Sequence, residues 1–200
     1  MTSRTAQRTH RAEKDVAAPA RRRGLRLLLG GLAALVLIGL VTAGLFTSRP
    51  VESTATTAAP DFTLTDTSGE TVSLADFRGQ PVILYFSEGA GCQSCLVQMA
   101  AIEKMAGQYS AAGFTVLPIV MNSREDILAD MQANGVRTPF LLDDGTVSTA
   151  YGTLGHGMHA GLPGHSFVVI DADGQQRWYG EYPSMWLDPE ELLKTAQAKL

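Results

Sequence analysis

The chain has 200 residues, 45% of them hydrophobic and 18% charged, which suits one globular domain with additional segments. Nine of the sixteen Lys and Arg residues, but only two of the twenty acidic residues, precede residue 51. The remaining chain is strongly acidic, and this argues against nucleic-acid binding, because phosphate contacts require clustered Lys and Arg.

The N-terminal quarter of the chain predicts a membrane anchor. Residues 1–24 are basic and show no apolar periodicity, so we expect a cytoplasmic segment without regular structure. Residues 25–46 contain an apolar run long enough to cross the hydrocarbon core as a helix. The positive-inside rule keeps the basic flank in the cytoplasm and places the following chain outside. We therefore predict a single-pass protein of the cell membrane with an extracytoplasmic domain.

A cleaved signal peptide is the alternative, and it gives a secreted protein. The apolar run is longer than the usual core of a signal peptide, which favours a retained helix. Both interpretations export the domain to a compartment where a disulfide persists. Residues 47–59 are rich in Ser, Thr and Ala with little to bury, and we predict a flexible linker there.

The ordered domain is predicted to cover residues 60–200 as strands alternating with helices. Two alternating segments around the turn at 66–69 predict an N-terminal β-hairpin. The predicted strands that follow are 82–86, 114–120, 166–170 and 176–182, with a short extended segment at 139–142. The predicted helices follow Cys92, Ser123 and Asp188. This order predicts an α/β fold with a central mixed sheet flanked by helices.

The residues that carry chemistry follow the first central strand. Val82–Phe86 is an apolar run, and small residues connect it to Cys92-Gln93-Ser94-Cys95. Helical periodicity continues after Cys95, so the Cys-x-x-Cys motif lies at a helix N-terminus. Unpaired N–H groups and the positive end of the helix dipole stabilise a thiolate at that position. Because a second cysteine one turn on can attack a mixed disulfide formed on the first, the motif predicts thiol–disulfide chemistry.

Other roles for the two cysteines agree less well with the sequence. A disulfide between them closes a loop too small to constrain the unfolded chain much. A zinc site needs two further ligands, and the sequence has no second cysteine pair. We therefore favour a redox-active pair over a structural one.

An ordered set of motifs resembles the redoxin branch of the thioredoxin superfamily. The motifs are Ala59-Pro60-Asp61-Phe62-Thr63-Leu64, Val72–Gly79, Val82–Phe86, Cys92-Gln93-Ser94-Cys95 and Phe167–Gly174. This branch includes the alkyl-hydroperoxide-reductase and thiol-specific-antioxidant (AhpC/TSA) proteins and the membrane-tethered reductases of the TlpA and ResA kind. The resemblance spans nearly all of residues 59–200. It implies a thioredoxin-like fold and a thiol–disulfide oxidoreductase activity.

The resemblance also implies roles for individual residues. Cys92 matches the attacking thiolate, and Cys95 matches the resolving cysteine. The family's cis-proline, which faces the cysteines, aligns with His165, and Pro163 would match it only after a local shift. Glu88 is a candidate proton relay to the second cysteine, although an acid in such a turn is more often simply solvated. We therefore name Glu88, His165 and Pro163 as candidates to relay protons or orient the substrate.

Two departures from the family pattern bear on the activity. Gly89-Ala90-Gly91 precedes Cys92, where the reductases usually carry a Trp. Peroxiredoxins carry a Thr three residues before the peroxidatic cysteine, and Gly89 stands at that position here. A thiol peroxidase with antioxidant activity is therefore an alternative and not the first prediction.

A glycine-rich loop at 152–164 and the residue that follows it contain most of the histidines. His156, His159 and His165 lie close together, with Met158 between the first two. If this loop folds over the active site, two thiolates with an imidazole suit Cu(I). Copper chaperones of the Sco kind have a cysteine pair and a downstream His, although their cysteines are one residue further apart. Cys92, Cys95 and His165 are thus candidate copper ligands, and the competing interpretation is a polar loop that shapes substrate binding.

We therefore predict an extracytoplasmic thiol–disulfide oxidoreductase that acts through Cys92 and Cys95 on thiols or disulfides of exported proteins. An upstream redox partner would reset the pair, and no bound organic cofactor is expected. A peroxiredoxin-like thiol peroxidase and a copper-binding chaperone are the two alternatives.

Overall fold

The computed structural model describes residues 18–47, 49–155 and 160–200, with side chains of the first helix described from 27 to 45. The chain divides into two units, Met1–Thr47 and Ser48–Leu200. The first unit contains helix α1, which covers Ala18–Thr47.

Helix α1 contains the apolar run. Leu27–Leu45 spans 19 residues with a mean hydropathy of 2.4, which is long and apolar enough to cross a membrane, as a signal sequence also would be. The helix begins earlier than predicted, because residues 18–24 are helical where we expected no regular structure. Ala and Arg make up five of these seven residues and have high helix propensity, and Pro19 lies in the first turn, where proline is tolerated. The rest of that prediction, residues 1–17, lies outside the described residues.

The second unit is built on one mixed sheet of nine strands. Its strands are β1 (Val51–Ser53), β2 (Thr57–Ala58), β3 (Thr63–Asp66), β4 (Thr71–Ser73), β5 (Val82–Phe86), β6 (Thr115–Val120), β7 (Leu141–Leu142), β8 (Ser166–Ile170) and β9 (Gln175–Glu181). The order across the sheet is β1-β9-β8-β5-β6-β7-β3-β4, with β2 also paired to β9. Strand β5 is central, parallel to β6 and antiparallel to β8. The predicted mixed sheet and the predicted hairpin of β3 and β4 are confirmed.

Helices follow Cys92, Ser123 and Asp188, as predicted, and shorter helical segments complete the connections between strands. They are a 3₁₀ turn (Leu74–Phe77), α2 (Gln93–Lys104), α3 (Ala106–Ala111), α4 (Arg124–Asn134), α5 (Thr146–Ala150) and α6 (Pro189–Lys199). Helix α6 begins after Asp188, whose carboxylate accepts hydrogen bonds from the N–H groups of Glu190 and Glu191. Helix α4 begins after Ser123, whose hydroxyl accepts from the Asp126 N–H at 3.2 Å. It ends at Gly135, where φ is +68°.

The segment predicted as a flexible linker, residues 47–59, contains two strands. Val51 pairs with Glu181 and Thr57 pairs with Gln176, so β1 and β2 cover an edge of β9. The Glu52 carboxylate accepts a hydrogen bond from the Tyr182 hydroxyl at 3.1 Å. An uncovered edge strand leaves N–H and C=O groups unpaired, and this pairing satisfies them. Composition gave no sign of it, because the two strands are short, exposed and bury little.

The core lies on both faces of the sheet. All five residues of β5 are buried, and they alternate between two apolar clusters, as the pleat of a strand requires. Ile83 and Tyr85 face the cluster that contains α2, α4 and α6. The carboxyl end of β5 therefore runs directly into the loop and helix that bear the two cysteines.

Candidate active site

Cys92 occupies the N-cap position of helix α2. Its backbone is extended, with φ −102° and ψ 93°, and its sulfur accepts a hydrogen bond from the N–H of Cys95 at 3.3 Å. A sulfur at this position takes one of the N–H groups that a helix start leaves without a partner. The predicted order of strand, turn and Cys-x-x-Cys at a helix start is therefore confirmed. The arrangement favours a thiolate on Cys92 once the pair is reduced.

The two cysteines form a disulfide but have opposite surroundings. Their Cα atoms are 5.3 Å apart, within the usual range for a disulfide. Cys92 is half-buried, whereas Cys95 is fully buried in the core cluster beside Leu96 and Met99. An external molecule can therefore reach the sulfur of Cys92 more readily than that of Cys95.

Polar side chains from outside the loop hold the residues that precede Cys92. The Asn122 side-chain oxygen accepts a hydrogen bond from the Ala90 N–H at 2.9 Å, and the Asp130 carboxylate accepts one from the Gly91 N–H at 2.7 Å. Gly89 has φ +70°, and a Cβ there would meet the Asn122 side chain and lie 2.7 Å from Cγ1 of Val120. Only glycine fits this position without displacing its neighbours.

A further polar contact joins the start of helix α2 to α4. Gln93, the residue after Cys92, donates a side-chain hydrogen bond to Asn134. The side chain of Asn134 in turn donates to the Asp130 carbonyl at 2.9 Å. Residues on both sides of Cys92 are thus tied to the same helix.

A buried chain of hydrogen bonds lies beneath Cys95. The Tyr85 hydroxyl is 3.2 Å from the Cys95 carbonyl oxygen and 3.2 Å from Nδ1 of His165. Nε2 of His165 is 3.4 Å from Oε1 of Gln98, which also accepts the Leu187 N–H at 2.9 Å. Tyr85, Gln98 and His165 are all at least 99% buried. The chain connects β5, the start of β8 and helix α2.

Burial keeps the side chains of this hydrogen-bond network uncharged. Loss of solvent lowers the pKa of His165 to about 4, so the imidazole is neutral at pH 7. Burial likewise raises the pKa of Tyr85 far above its ordinary value, so the phenol keeps its proton. The phenol has one proton and can donate it to the Cys95 carbonyl or to His165 Nδ1, but not to both. When the imidazole proton moves between the two ring nitrogens, the Tyr85 hydroxyl therefore changes the acceptor to which it donates its hydrogen bond.

The structure connects His165 to the Cys95 backbone through the Tyr85 hydroxyl, and it places the other predicted residues less directly. Glu88 is half-buried in the loop after β5. Pro163 is buried and forms an isolated bridge with Leu154, and no peptide bond among the described residues is cis. His156, Met158 and His159 lie outside the described residues.

The copper hypothesis gains no support from the described geometry. Among residues 18–47, 49–155 and 160–200, no group of three or more His, Cys, Asp or Glu side chains is arranged to hold a metal ion. Both ring nitrogens of His165 contact protein partners, Tyr85 and Gln98. A copper ion on His165 would have to displace one of them.

Sequence reasoning missed four residues of the site: Tyr85, Gln98, Asn122 and Asp130. Tyr85 had one readable signal, because a hydroxyl in the middle of an apolar strand needs a hydrogen-bond partner. Asn122 and Asp130 meet the loop from thirty or more residues away in the chain, and no local pattern announces such contacts.

Comparison with known proteins assigns the family. Residues 55–178 match the family model described as the AhpC/TSA family. The chain belongs to the AhpC/TSA family. A relative from Mycobacterium tuberculosis, named "Putative peroxiredoxin", is 35% identical over 122 residues, which is 58% of this chain and 78% of the relative. The predicted resemblance to the redoxin branch is confirmed.

Solved structures of other proteins share the fold. The peroxidoxin BcpB of M. tuberculosis superposes with a TM-score of 0.59 at 19% identity, covering 72% of this chain and 93% of that one. A structure titled "putative protein disulfide isomerase", from Bacteroides thetaiotaomicron, gives 0.55 at 29% identity, covering 70% and 84%. The predicted thioredoxin-like fold is therefore confirmed, and the chain is a thiol-based redox protein of the redoxin family.

Proposed function

We propose that the protein is an extracytoplasmic thiol–disulfide oxidoreductase that exchanges its Cys92–Cys95 pair with protein thiols and disulfides. The observation that carries this proposal is the asymmetry of the pair. Cys92 is accessible at a helix N-cap, and Cys95 is buried one turn further on. Such a pair gives one sulfur to the substrate and keeps the other for release.

The exchange proceeds in two balanced steps. The Cys92 thiolate attacks one sulfur of a substrate disulfide, forms a mixed disulfide and expels the other substrate sulfur as a thiolate. The Cys95 thiolate then attacks the Cys92 sulfur, which releases the second substrate thiolate and leaves Cys92–Cys95 oxidised. The substrate gains two electrons and the pair loses two. An upstream dithiol partner would return the pair to the reduced form, and the reverse sequence oxidises a substrate.

Proton movement at the buried cysteine is assigned to the chain beneath it. Cys95 must lose its proton before it attacks, in a place closed to bulk water. We assign the relay of that proton to Tyr85 and His165, since the hydroxyl contacts the Cys95 backbone carbonyl and the unprotonated nitrogen of the neutral imidazole can accept a proton while the other nitrogen releases one. Glu88 and Pro163 stay as candidates, for proton transfer from the loop side and for substrate orientation.

A thiol peroxidase is the second candidate, because the family relative from M. tuberculosis is named as a peroxiredoxin. In that reaction the Cys92 thiolate takes an oxygen from a hydroperoxide, giving a sulfenic acid and an alcohol. Cys95 then condenses with the sulfenic acid and releases water. The loop before Cys92 favours exchange instead. Gly89 has no hydroxyl, and the Ala90 and Gly91 N–H groups already bind Asn122 and Asp130, so they do not face a departing oxygen.

The location is part of the proposal. Helix α1 has the length and hydropathy of a membrane span, and the basic residues before Leu27 favour a cytoplasmic N-terminus. The domain that follows would then face a compartment in which substrate disulfides form. Cleavage after the apolar run would instead release the domain as a secreted protein.

The oxidation rates with a disulfide and with hydroperoxides, measured separately, test the activity. The reduced full chain in detergent is mixed in a stopped-flow instrument with a peptide disulfide or with hydrogen peroxide and an alkyl hydroperoxide. Both tryptophans, Trp178 and Trp186, lie in the redoxin domain and report its oxidation by fluorescence. We expect oxidation by the peptide disulfide and only the background rate of a free thiol with hydroperoxides. Rapid oxidation by hydroperoxide together with slow disulfide exchange would reverse the assignment.

A further inference from the structure

The two side chains that hold the loop before Cys92 differ in charge. Asn122 presents a neutral amide oxygen to the Ala90 N–H, whereas Asp130 presents a carboxylate to the Gly91 N–H at 2.7 Å. A neutral amide would satisfy either N–H, so holding the loop does not itself require a charge. The charge is therefore an additional property of the site.

Asp130 lies close to the reactive sulfur. Gly91 and Cys92 are consecutive, so the bond from the Gly91 N–H at 2.7 Å keeps the carboxylate within roughly 10 Å of the Cys92 sulfur. At a separation of roughly 6–9 Å near the protein surface, and with screening by physiological salt, a carboxylate raises the pKa of a neighbouring thiol by roughly half to one unit. This effect opposes the stabilisation that the start of helix α2 gives the thiolate.

We propose that Asp130 is a positioning residue with a second role: it holds the loop in front of Cys92, and it disfavours the Cys92 thiolate by placing a carboxylate beside it. The inference rests on the proposed function only in taking Cys92 as the attacking sulfur. A pair whose thiolate is poorly stabilised gives up electrons more readily, whereas a stabilised thiolate makes a pair oxidising. Asp130 therefore biases the Cys92–Cys95 pair toward the role of reductant.

Other ionisable groups lie around the pair and are the same in every variant that is compared. Glu88 belongs to the same loop, and Tyr85 and His165 lie beneath Cys95. Cys95 is replaced by Ser in every protein of the alkylation test. Variants that alter only Asp130 or Asn122 hold these contributions constant, so differences among them report the charge at the loop.

The charge is tested by exchanging acid and amide at the two positions. In the full chain in detergent, with Cys95→Ser to leave one thiol, the rate of Cys92 alkylation by iodoacetamide is followed against pH. Asp130→Asn keeps an acceptor for the Gly91 N–H and should lower the midpoint by roughly half to one unit. Asn122→Asp adds a charge at the Ala90 N–H and should raise it by a similar amount.

A matched control removes a charge from the same helix but away from the loop. Glu125 is exposed and precedes Asp130 by five residues on α4, which is about 140° around the helix and about 7.5 Å along it. Glu125→Gln should leave the midpoint unchanged. Equal midpoints for Asp130→Asn and the parent protein would overturn the charge assignment, as would a rise in that variant.

The positioning role is tested by a measurement that does not depend on the charge of residue 130. At a pH well below the alkylation midpoint of every variant the Cys92 thiol is protonated in all of them, so the equilibrium with glutathione reports how well the folded chain brings Cys92 to Cys95. We expect Asp130→Asn to leave this constant unchanged and Asp130→Ala to weaken disulfide formation about three- to tenfold, the loss of a charge-assisted hydrogen bond. Equal constants for the two variants would overturn the positioning role.

These measurements stand apart from the proposed function. The alkylation midpoint and the glutathione equilibrium need no protein substrate, so they are valid even if the exchange assay fails. At a pH above both midpoints, Asp130→Asn should favour the dithiol three- to tenfold over the parent protein, the change that matches the shift in midpoint. An unchanged or opposite shift would overturn the assignment of Asp130 as a bias toward reduction.

Discussion

The surroundings of the two cysteines differ in every respect that controls a thiol. The region before Cys92 is a loop with two glycines at positive φ, held by polar side chains from other elements. The region around Cys95 is fully buried, and its polar groups, Tyr85, His165 and Gln98, bond to one another. One helical turn separates the two. The position of each cysteine relative to the core, and not the motif itself, makes Cys92 the more accessible sulfur.

The conformation of the loop before Cys92 depends most strongly on Gly89. In Gly89→Ala the new Cβ would collide with the Asn122 side chain and lie 2.7 Å from Val120 Cγ1, in a backbone conformation that alanine rarely adopts. We expect a loss of about 2–4 kcal/mol of stability, from strain and overpacking together, and a loss of exchange rate of tenfold or more. Tryptophan fluorescence during denaturant unfolding of the full chain in detergent measures the first, and the peptide-disulfide assay the second.

Gly107→Ala is the matched control for this change. Gly107 lies in helix α3, and a Cβ there meets nothing within 4 Å. We expect unchanged exchange and a stability equal to or slightly above that of the parent protein, because alanine is the better helix former. If both substitutions cost the same, the close approach at Gly89 is not what fixes the loop.

The buried side predicts a pH dependence of stability that comes from His165. Its pKa falls from the ordinary 6.5 to about 4 on folding, so the unfolded chain binds this proton at a pH where the folded chain does not. The stabilisation is complete above pH 6.5 and is lost as the pH falls toward 4, for a total of about 3 kcal/mol. Denaturant unfolding of the oxidised chain at a series of pH values measures it.

His165→Gln isolates this contribution from the carboxylates that titrate in the same range. The variant should be less stable than the parent protein at pH 7, but its stability should fall less steeply between pH 6.5 and pH 4. Parallel stability curves for the two proteins would contradict the neutral, buried imidazole.

Gln98 offers a smaller test of the buried side. In Gln98→Leu the backbone N–H of Leu187 loses its acceptor in a fully buried place, which should cost about 1–3 kcal/mol. The neighbouring Val97 is 44% exposed, and Val97→Ala should change stability by less than about 0.5 kcal/mol. Equal losses would mean that the cost comes from helix α2 as a whole and not from the hydrogen-bond chain.

Local signals in the sequence predicted most of the fold and the reactive pair. Asp188, Pro189 and the acids after them define the start of α6, and Cys92 lies at a helix N-cap as the motif indicated. These helix starts depend on residues within one turn of each other, so they can be predicted from the local sequence. The break between α2 and α3 at Met105 has no such neighbour signal and was missed.

The remainder of the site depends on contacts that local patterns do not encode. Asp130 is one polar residue in the middle of a helix until the fold brings it to Gly91. Likewise, β1 and β2 form because β9 has an edge to cover, and their own composition resembles a linker. The sequence indicated a buried position for Tyr85 and a loop position for His165. Their shared hydrogen bond could not be predicted, because it depends on the register between β5 and β8.

The most direct test of the central claim is a trapping experiment with single-cysteine variants. The full chain with Cys95→Ser or Cys92→Ser is incubated with a disulfide-bonded substrate protein, and mixed disulfides are identified by mass spectrometry. Exposure of Cys92 and burial of Cys95 predict that Cys95→Ser accumulates a mixed disulfide through Cys92, whereas Cys92→Ser traps almost none. Efficient trapping through Cys95 would contradict the account, because it would require the buried sulfur to be the one that meets the substrate.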